Sequence, residues 1–305
     1  MAKTNDPGLG TKYNQKINRM INSDGSYNIV KIGGIRGFKD LYKYLVDVSW
    51  WQFIFISFLS YLIVNILFAS LYSFCSIQDF TNYNVNFPKF LNAFFFSSQT
   101  FTGLGYGNIA PIGLIANVIA TIEAFAGLMS IALITGLLYG RFSKPSTKIL
   151  FSKNILIAPF QDSTALMFKM VNQRDSLLLN AHVKTMFILD KGEGTESNNK
   201  EYHVLDLQLD TIHFFPLTWT IVHKIDKDSP LYNLNVSQLV RRSAEVIVLF
   251  EAFDETHNQT VLEKHSFGGD QWVENKKFKL SYEPDNSGKI ILDIDSINDL
   301  EELDL

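Results

Sequence analysis

Three kinds of hydrophobic pattern follow one another along the chain. Phe38, Leu41, Tyr42, Leu45 and Val48 recur at helical spacing, with Lys39, Asp40, Lys43 and Asp47 on other faces, predicting a short amphipathic helix over 38–48. Trp50 and Trp51 come next, and paired tryptophans at the start of an apolar run are typical interface anchors. No charge occurs from Ser49 to Gln78, which is enough for one membrane-spanning helix ending near Phe74. The polar stretch Ile77–Asn86 reads as an exposed loop, and Pro88 suits the first turn of a helix. The phenylalanine-rich segment Lys89–Phe101 is too short to span and is therefore re-entrant or buried. After Pro111, a second span runs from Ile112 to Gly140, interrupted by Glu123 and closed by Arg141 and Lys144 before Pro145.

Beyond Pro145 the period changes to two. Leu205, Leu207 and Leu209 alternate with polar residues, as do Trp219, Ile221, His223 and Ile225, and Phe278, Leu280 and Tyr282. About eight such runs, divided by turns such as Lys191–Gly194 and Asp285–Gly288, predict a β-sandwich with one short helix near Ser237–Arg242. Residues 1–37 read as a flexible N-terminus, and the acidic end, 293–305, as a solvated tail.

Charge sharpens this division. The 305 residues carry a net charge of only −4, yet between Val48 and Gly140 the only charged residues are Asp79, Lys89 and Glu123. A bilayer accounts for that gap, because charge at its centre is costly. Lys39, Lys43, Arg141, Lys144, Lys148 and Lys153 flank the two spans on one shared side, which the positive-inside rule makes cytoplasmic for both termini. That places the chain in the plasma membrane or a cell inner membrane. The lone Cys75 excludes an intrachain disulfide, the six histidines lack metal-site spacing, and the acidic balance offers no nucleic-acid surface. No metal or organic cofactor is expected, and no nucleophile–base pair suggests an enzyme.

Between the short helix and the second span stands Thr100-Phe-Thr-Gly-Leu-Gly-Tyr-Gly-Asn108. Potassium filters are built from backbone carbonyls that replace the hydration shell of the ion, commonly in the sequence Thr-Val-Gly-Tyr-Gly. Leu104-Gly105-Tyr106-Gly107 fits that pattern, glycine being the residue that takes alternating backbone conformations without strain. A nucleotide-binding glycine loop would need a strand before it and a helix after it; here a helical stretch precedes and a proline follows. The ion filter is predicted at Thr102, Gly103, Leu104, Gly105, Tyr106 and Gly107.

From about Phe38 to about Leu292 the chain resembles the prokaryotic inward-rectifier potassium channels, the KirBac type. The resemblance lies in the filter, in Asp40–Leu45 before the tryptophan pair, in Gly136-Leu-Leu-Tyr-Gly-Arg-Phe-Ser-Lys-Pro145, in Ile155–Asn172, in Asp226–Tyr232 and in Asp254–Thr260. It implies a membrane α pore domain (two transmembrane helices, re-entrant pore helix and filter) with a C-terminal immunoglobulin-like all-β sandwich, assembled as a homotetramer. The implied division is an interfacial slide helix over 38–48, a pore domain over 49–145 and a cytoplasmic sandwich over 146–292. Ile131, Thr135 and Tyr139 would face the pore, with Tyr139 as constriction or, alternatively, a headgroup anchor. Gly127 or Gly136 would be a bending point or a close-packing site. Thr256, His257, Asn258, Gln259 and Thr260 would form a second narrowing. Arg141, Lys144 and Lys148 would contact anionic lipids or phosphoinositides, or be ordinary flanking charges.

Three positions depart from the family pattern. Gly103 stands where the filter usually has threonine, removing a hydroxyl unless Thr102 compensates. Ile131 and Asn180 stand where strong rectifiers carry acids, so weak polyamine block is expected. Gln99 replaces a glutamate common behind the filter, and Glu123 is a second candidate, for filter support or for attracting the ion. The competing readings are a non-selective cation channel, because of Gly103, and a membrane-anchored sensor whose sandwich binds a ligand.

Overall fold

The computed structural model describes residues 8–10, 19–30, 32–33, 38–84, 86–143, 148–191 and 200–303. They form a helical unit, Gly33–Lys144, and a β unit made of Met1–Ile32 with Pro145–Leu305.

The helical unit comprises α1 (Phe38–Asp47), α2 (Trp50–Ser73), α3 (Lys89–Phe101) and α4 (Leu114–Phe142). Ser49 ends α1 and starts α2: its hydroxyl accepts from the Gln52 N–H, while its own N–H donates to the Gln52 side chain at 3.1 Å. This capping box makes the turn between the two helices. Both α2 and α4 are long and apolar enough to cross a membrane, and most of their large side chains are exposed in the single chain. Their inner faces join α3 around Phe68, Ala69, Tyr72, Phe80, Ala93, Phe96 and Ala116. The end of α2 is closed from α3, where the Lys89 ammonium donates to the carbonyls of Ser73 (2.8 Å) and Cys75 (2.6 Å). α4 runs on to Phe142, past the expected end at Gly140.

The β unit contains two five-stranded sheets. In the first, β1 (Ile149–Phe151), β2 (Ile155–Phe160), β3 (Ser163–Asn172), β7 (Thr218–Ile225) and β10 (Trp272–Glu274) assemble around β3. In the second, β4 (Leu178–Asp190), β5 (Lys200–Leu205), β6 (Thr211–Phe214), β8 (Glu245–Asp254) and β9 (Gln259–Gly268) assemble around β4 and β8. Inward residues of both sheets, including Phe168, Phe187, Phe250 and Phe267, share one buried core with Phe215 just after β6, which makes the unit a sandwich. Helix α5 (Val236–Arg241) is capped by Asn235, and Leu239 enters the core.

Four expectations are corrected. The alternation of Leu205, Leu207 and Leu209 does not make one strand, because β5 ends at Leu205. Phe278 and Tyr282 also fall on separate elements, β11 (Lys276–Phe278) and β12 (Tyr282–Pro284), with Leu280 in the link between them, and β12 pairs with β13 (Ile290–Leu292). Over its described residues, 293–303, the acidic end is not a solvated tail: β14 (Leu300–Glu302) pairs with β11, and Ile297 is fully buried. Glu301 and Glu302 lie opposite Lys277 and Lys276 in that pairing, which is what acidic residues at this end supply. The N-terminal segment is also structured where it is described. Met20 and Ile21 pack on Ile188, Tyr202 and Ile247, and their N–H groups donate to the buried Glu245 carboxylate at 2.9 and 3.2 Å. Of the turn Lys191–Gly194, only Lys191 lies within the described residues.

Candidate ion-conducting site

The site begins where α3 stops. Thr102 caps α3, and its hydroxyl donates to the Ser98 carbonyl at 2.7 Å. Leu104 and Gly105 then turn their N–H groups back onto the carbonyl of Gln99, at 3.0 and 3.3 Å. The end of α3 thus holds the first amides of the segment that follows it. Gly103, Gly105 and Gly107 have φ of +72°, +53° and +75°, all left-handed, while Leu104 and Tyr106 between them do not. This alternation turns successive carbonyls the same way only where the alternate residues tolerate positive φ, and glycine does. In the single chain, residues 102–108 are exposed.

Support comes from behind α3. Glu123, fully buried on α4, accepts from the Tyr72 hydroxyl of α2 at 2.6 Å and is hydrogen bonded to the Ser97 hydroxyl of α3. Ser97 also lies 3.0 Å from the Asn65 side-chain oxygen, and the Asn65 amide donates to the Tyr61 carbonyl at 2.8 Å. One carboxyl group therefore ties three helices together. Asn65, Tyr72 and Ser97 were not singled out in the sequence, although buried polar side chains within apolar helices are a signal in themselves. Gln99 acts here through its main chain rather than its side chain.

Below the filter, Ile131, Thr135 and Tyr139 follow one another at intervals of four along one exposed face of α4, Tyr139 being 74% exposed. The Thr135 hydroxyl donates to the Ile131 carbonyl at 2.9 Å. The two candidate bending glycines of α4 differ sharply. Gly127 is buried against the Phe101 carbonyl and has no room for a Cβ, whereas a Cβ at Gly136 meets nothing within 4 Å. Close approach accounts for Gly127.

Arg141, the suggested lipid contact, spends its donors inside the chain. Its guanidinium donates to the carbonyls of Leu45 (2.7 Å), Val46 (3.1 Å) and Val48 (2.7 Å). It also lies 4.7 Å from the Trp50 ring centroid and 4.8 Å from that of Phe53. Lys144 lies outside the described residues, and Lys148 is exposed in the β unit.

In the β unit, 256–260 is less a free loop than expected. Gln259 and Thr260 already belong to β9, paired with Asp254 and Phe253. The buried Asp254 carboxylate accepts from the N–H groups of Thr256 (2.9 Å) and His257 (3.3 Å) and meets the His257 ring at 2.9 Å. Burial alone would raise the Asp254 pKa, but these hydrogen bonds hold it below its usual value. Asn258 takes the left-handed position of the turn, φ +51°. Asn180, at the irregular register of β4, places its side-chain oxygen 3.1 Å from His213.

Comparison with known proteins decides the family. Residues 149–304 match the model of the inward rectifier potassium channel C-terminal domain, and residues 46–144 that of an ion channel domain. The chain is 33% identical over 284 residues to the inward rectifier potassium channel Kirbac3.1 of Paramagnetospirillum magnetotacticum, covering 92% of this chain and 95% of the relative. The chain belongs to the inward-rectifier potassium channel family. Animal relatives share its core: the human ATP-sensitive inward rectifier potassium channel 14 is 30% identical over 82% of this chain, and Caenorhabditis elegans irk-1 is 24% identical over 87%. This inward rectifier spans 62% and 54% of those two proteins. Membership places it among membrane ion channels and not among enzymes, and the two apolar helices α2 and α4 agree with that.

Proposed function

We propose that four copies of this chain surround one axis and conduct potassium passively through stacked rings of filter carbonyls. The observation that carries the reading is the alternation of left-handed glycines at 103, 105 and 107, anchored by the Gln99 carbonyl directly after α3. Each chain supplies one filter strand, and closed fourfold symmetry makes a ring from four. Potassium is the permeant ion, and conduction calls for no other cofactor. The membrane is the plasma membrane or a cell inner membrane, with both termini and the β unit on the cytoplasmic side, where the flanking lysines and arginine place them. Tyr139 is the constriction on the exposed face of α4, and the turn around His257 is a second one in the cytoplasmic part. Anionic lipids are partners through Lys148 and Lys144, not through Arg141. Polyamine block is weak because Ile131 and Asn180 replace acids.

A non-selective cation pore is the second reading, favoured by Gly103, where the carbonyl is kept and a side-chain oxygen is missing. Flux into liposomes containing the purified protein separates the two. Barium-sensitive uptake driven by a potassium gradient and not by a sodium gradient supports the selective channel. Equal flux of both ions moves the reading to a non-selective pore, and micromolar spermine blocking with steep voltage dependence would contradict the weak-rectifier assignment.

A further inference from the structure

The outward face of the second sheet is amphipathic. Val183, Phe187, Val246, Val248 and Phe250 enter the core, so alternation along β4 and β8 turns Lys184, Met186, Ile247 and Leu249 outward. Cross-strand register then builds two rows. Lys184, Leu249 and Lys264 stand side by side in one, and Val204, Met186 and Ile247 in the next. The N-terminal segment supplies a facing wall. Ile21 and Tyr27 bridge to each other, closing a turn whose Gly25 lies against the Lys264 carbonyl with no room for a Cβ. Ile21 joins Met186 and Ile247 in one apolar cluster, and the Lys264 ammonium lies 4.2 Å from the Tyr27 ring centroid.

Between this segment and the sheet is a cavity of about 650 Å³, within the range of about 300–1,000 Å³ usual for small-ligand sites. Its apolar part is Leu9, Ile21, Met186, Val204 and Ile247, and its cationic part is Lys184 and Lys264. Among the described residues neither ammonium has a carboxylate within salt-bridge distance. The exposed Asp206 and Asp210 line the cavity on the β5 side.

We propose that this cavity binds a free medium-chain fatty acid, its carboxylate between Lys184 and Lys264 and its chain along Met186 and Ile247 beside Ile21. Each part of the ligand follows from a part of the wall. Two ammonium groups without carboxylate partners attract an anion. The apolar row calls for an aliphatic body, which gains with every methylene it removes from water. Asp206 and Asp210 oppose a second negative charge, which selects a monoanionic carboxylate over a phosphate ester. The volume is that of a small ligand, so the source is a free acid and not a two-chain membrane lipid. The site lies within the β unit and does not depend on the channel reading.

Photolabelling of the full-length protein in nanodiscs tests this, with a decanoate analogue carrying a diazirine at its terminal carbon and labelled residues mapped by mass spectrometry. Label is expected around residues 21, 186 and 204, displaced by decanoate and not by decanol. This displacement is read on the unaltered protein and stands whatever a variant does to folding. Lys184→Gln combined with Lys264→Gln is expected to lower the labelling about tenfold, the effect of losing one charge-assisted contact. Lys184→Arg combined with Lys264→Arg is expected to retain it, and Met186→Trp, which fills the cavity and keeps both charges, to abolish it. Equal displacement by decanol, or undiminished labelling of the glutamine variant, overturns the carboxylate assignment. Label confined to α2 and α4, with none around residues 21, 186 and 204, overturns the site itself, as it would if a second copy of the chain covered this face.

Discussion

Gly127 of α4 stands directly against the carbonyl oxygen of Phe101, the last residue of α3, with no space between them for a side chain. Two α-helices approach this closely only where one of them presents bare backbone. The contact fixes where α3 ends against α4, and so where the glycine-rich segment after it begins.

Gly127→Ala is therefore expected to disrupt the filter, at a cost of about 1–3 kcal/mol for overpacking a site whose neighbour is main chain. Gly136→Ala, with open space around its position in the chain, is expected to assemble and melt like the parent. Thermal stability of the detergent-solubilised protein, measured for both variants side by side, checks this. Equal melting temperatures would show that α4 moves aside freely.

Gly103 carries a second expectation. Replacing it with threonine would restore the usual filter residue, yet the backbone at 103 has φ +72°, where a β-branched side chain is strained by about 1–2 kcal/mol. Gly103→Thr is expected to lower the stability of the protein rather than improve potassium selectivity, while Gly103→Ala falls between. A stable Gly103→Thr channel with a raised potassium-to-sodium flux ratio would mean that the backbone of 103 adapts at little cost.

The three-helix hydrogen-bond cluster should fail as a unit. Tyr72→Phe and Ser97→Ala each leave Glu123 short of a partner, with an expected loss of about 1–3 kcal/mol per unsatisfied buried group. The double variant should cost less than the sum, because both donors serve the same carboxyl group. Melting temperatures of the four proteins in the cycle measure that shortfall; strict additivity would argue against a shared network.

The β unit carries a pH signature. His265 is stacked on Phe151 with ring centroids 4.5 Å apart, and burial pushes its pKa from 6.5 to about 4. Between those values the unfolded chain binds a proton that the folded chain refuses, so stability falls as pH drops from about 6.5 to about 4 and is level below that. The loss is of the order of 3 kcal/mol at most. His265→Phe should flatten this part of the stability profile of the tetramer, read as apparent melting temperature against pH. A profile identical to the parent would place the titration elsewhere.

Hydrophobic period and charge spacing by themselves determined the helices of the membrane part, because a bilayer demands an uninterrupted apolar length and internal backbone hydrogen bonds. Lys89–Phe101 was legible as a short helix for the same reason, and the left-handed backbone of Gly103, Gly105 and Gly107 because glycine spacing reports backbone conformation directly. The sandwich was legible as a class. Its strand ends were not, since Leu205–Leu209 and Phe278–Tyr282 alternate through positions where the chain leaves the sheet. Partners distant in sequence were decided by tertiary structure alone. Nothing local to Arg141 distinguishes a lipid contact from a clamp on Leu45, nothing local to Gly127 distinguishes a hinge from a seat for Phe101, and Glu301 looks like tail until Lys277 is opposite it. Period is written in neighbouring residues, whereas a contact depends on which surface the fold brings against a side chain.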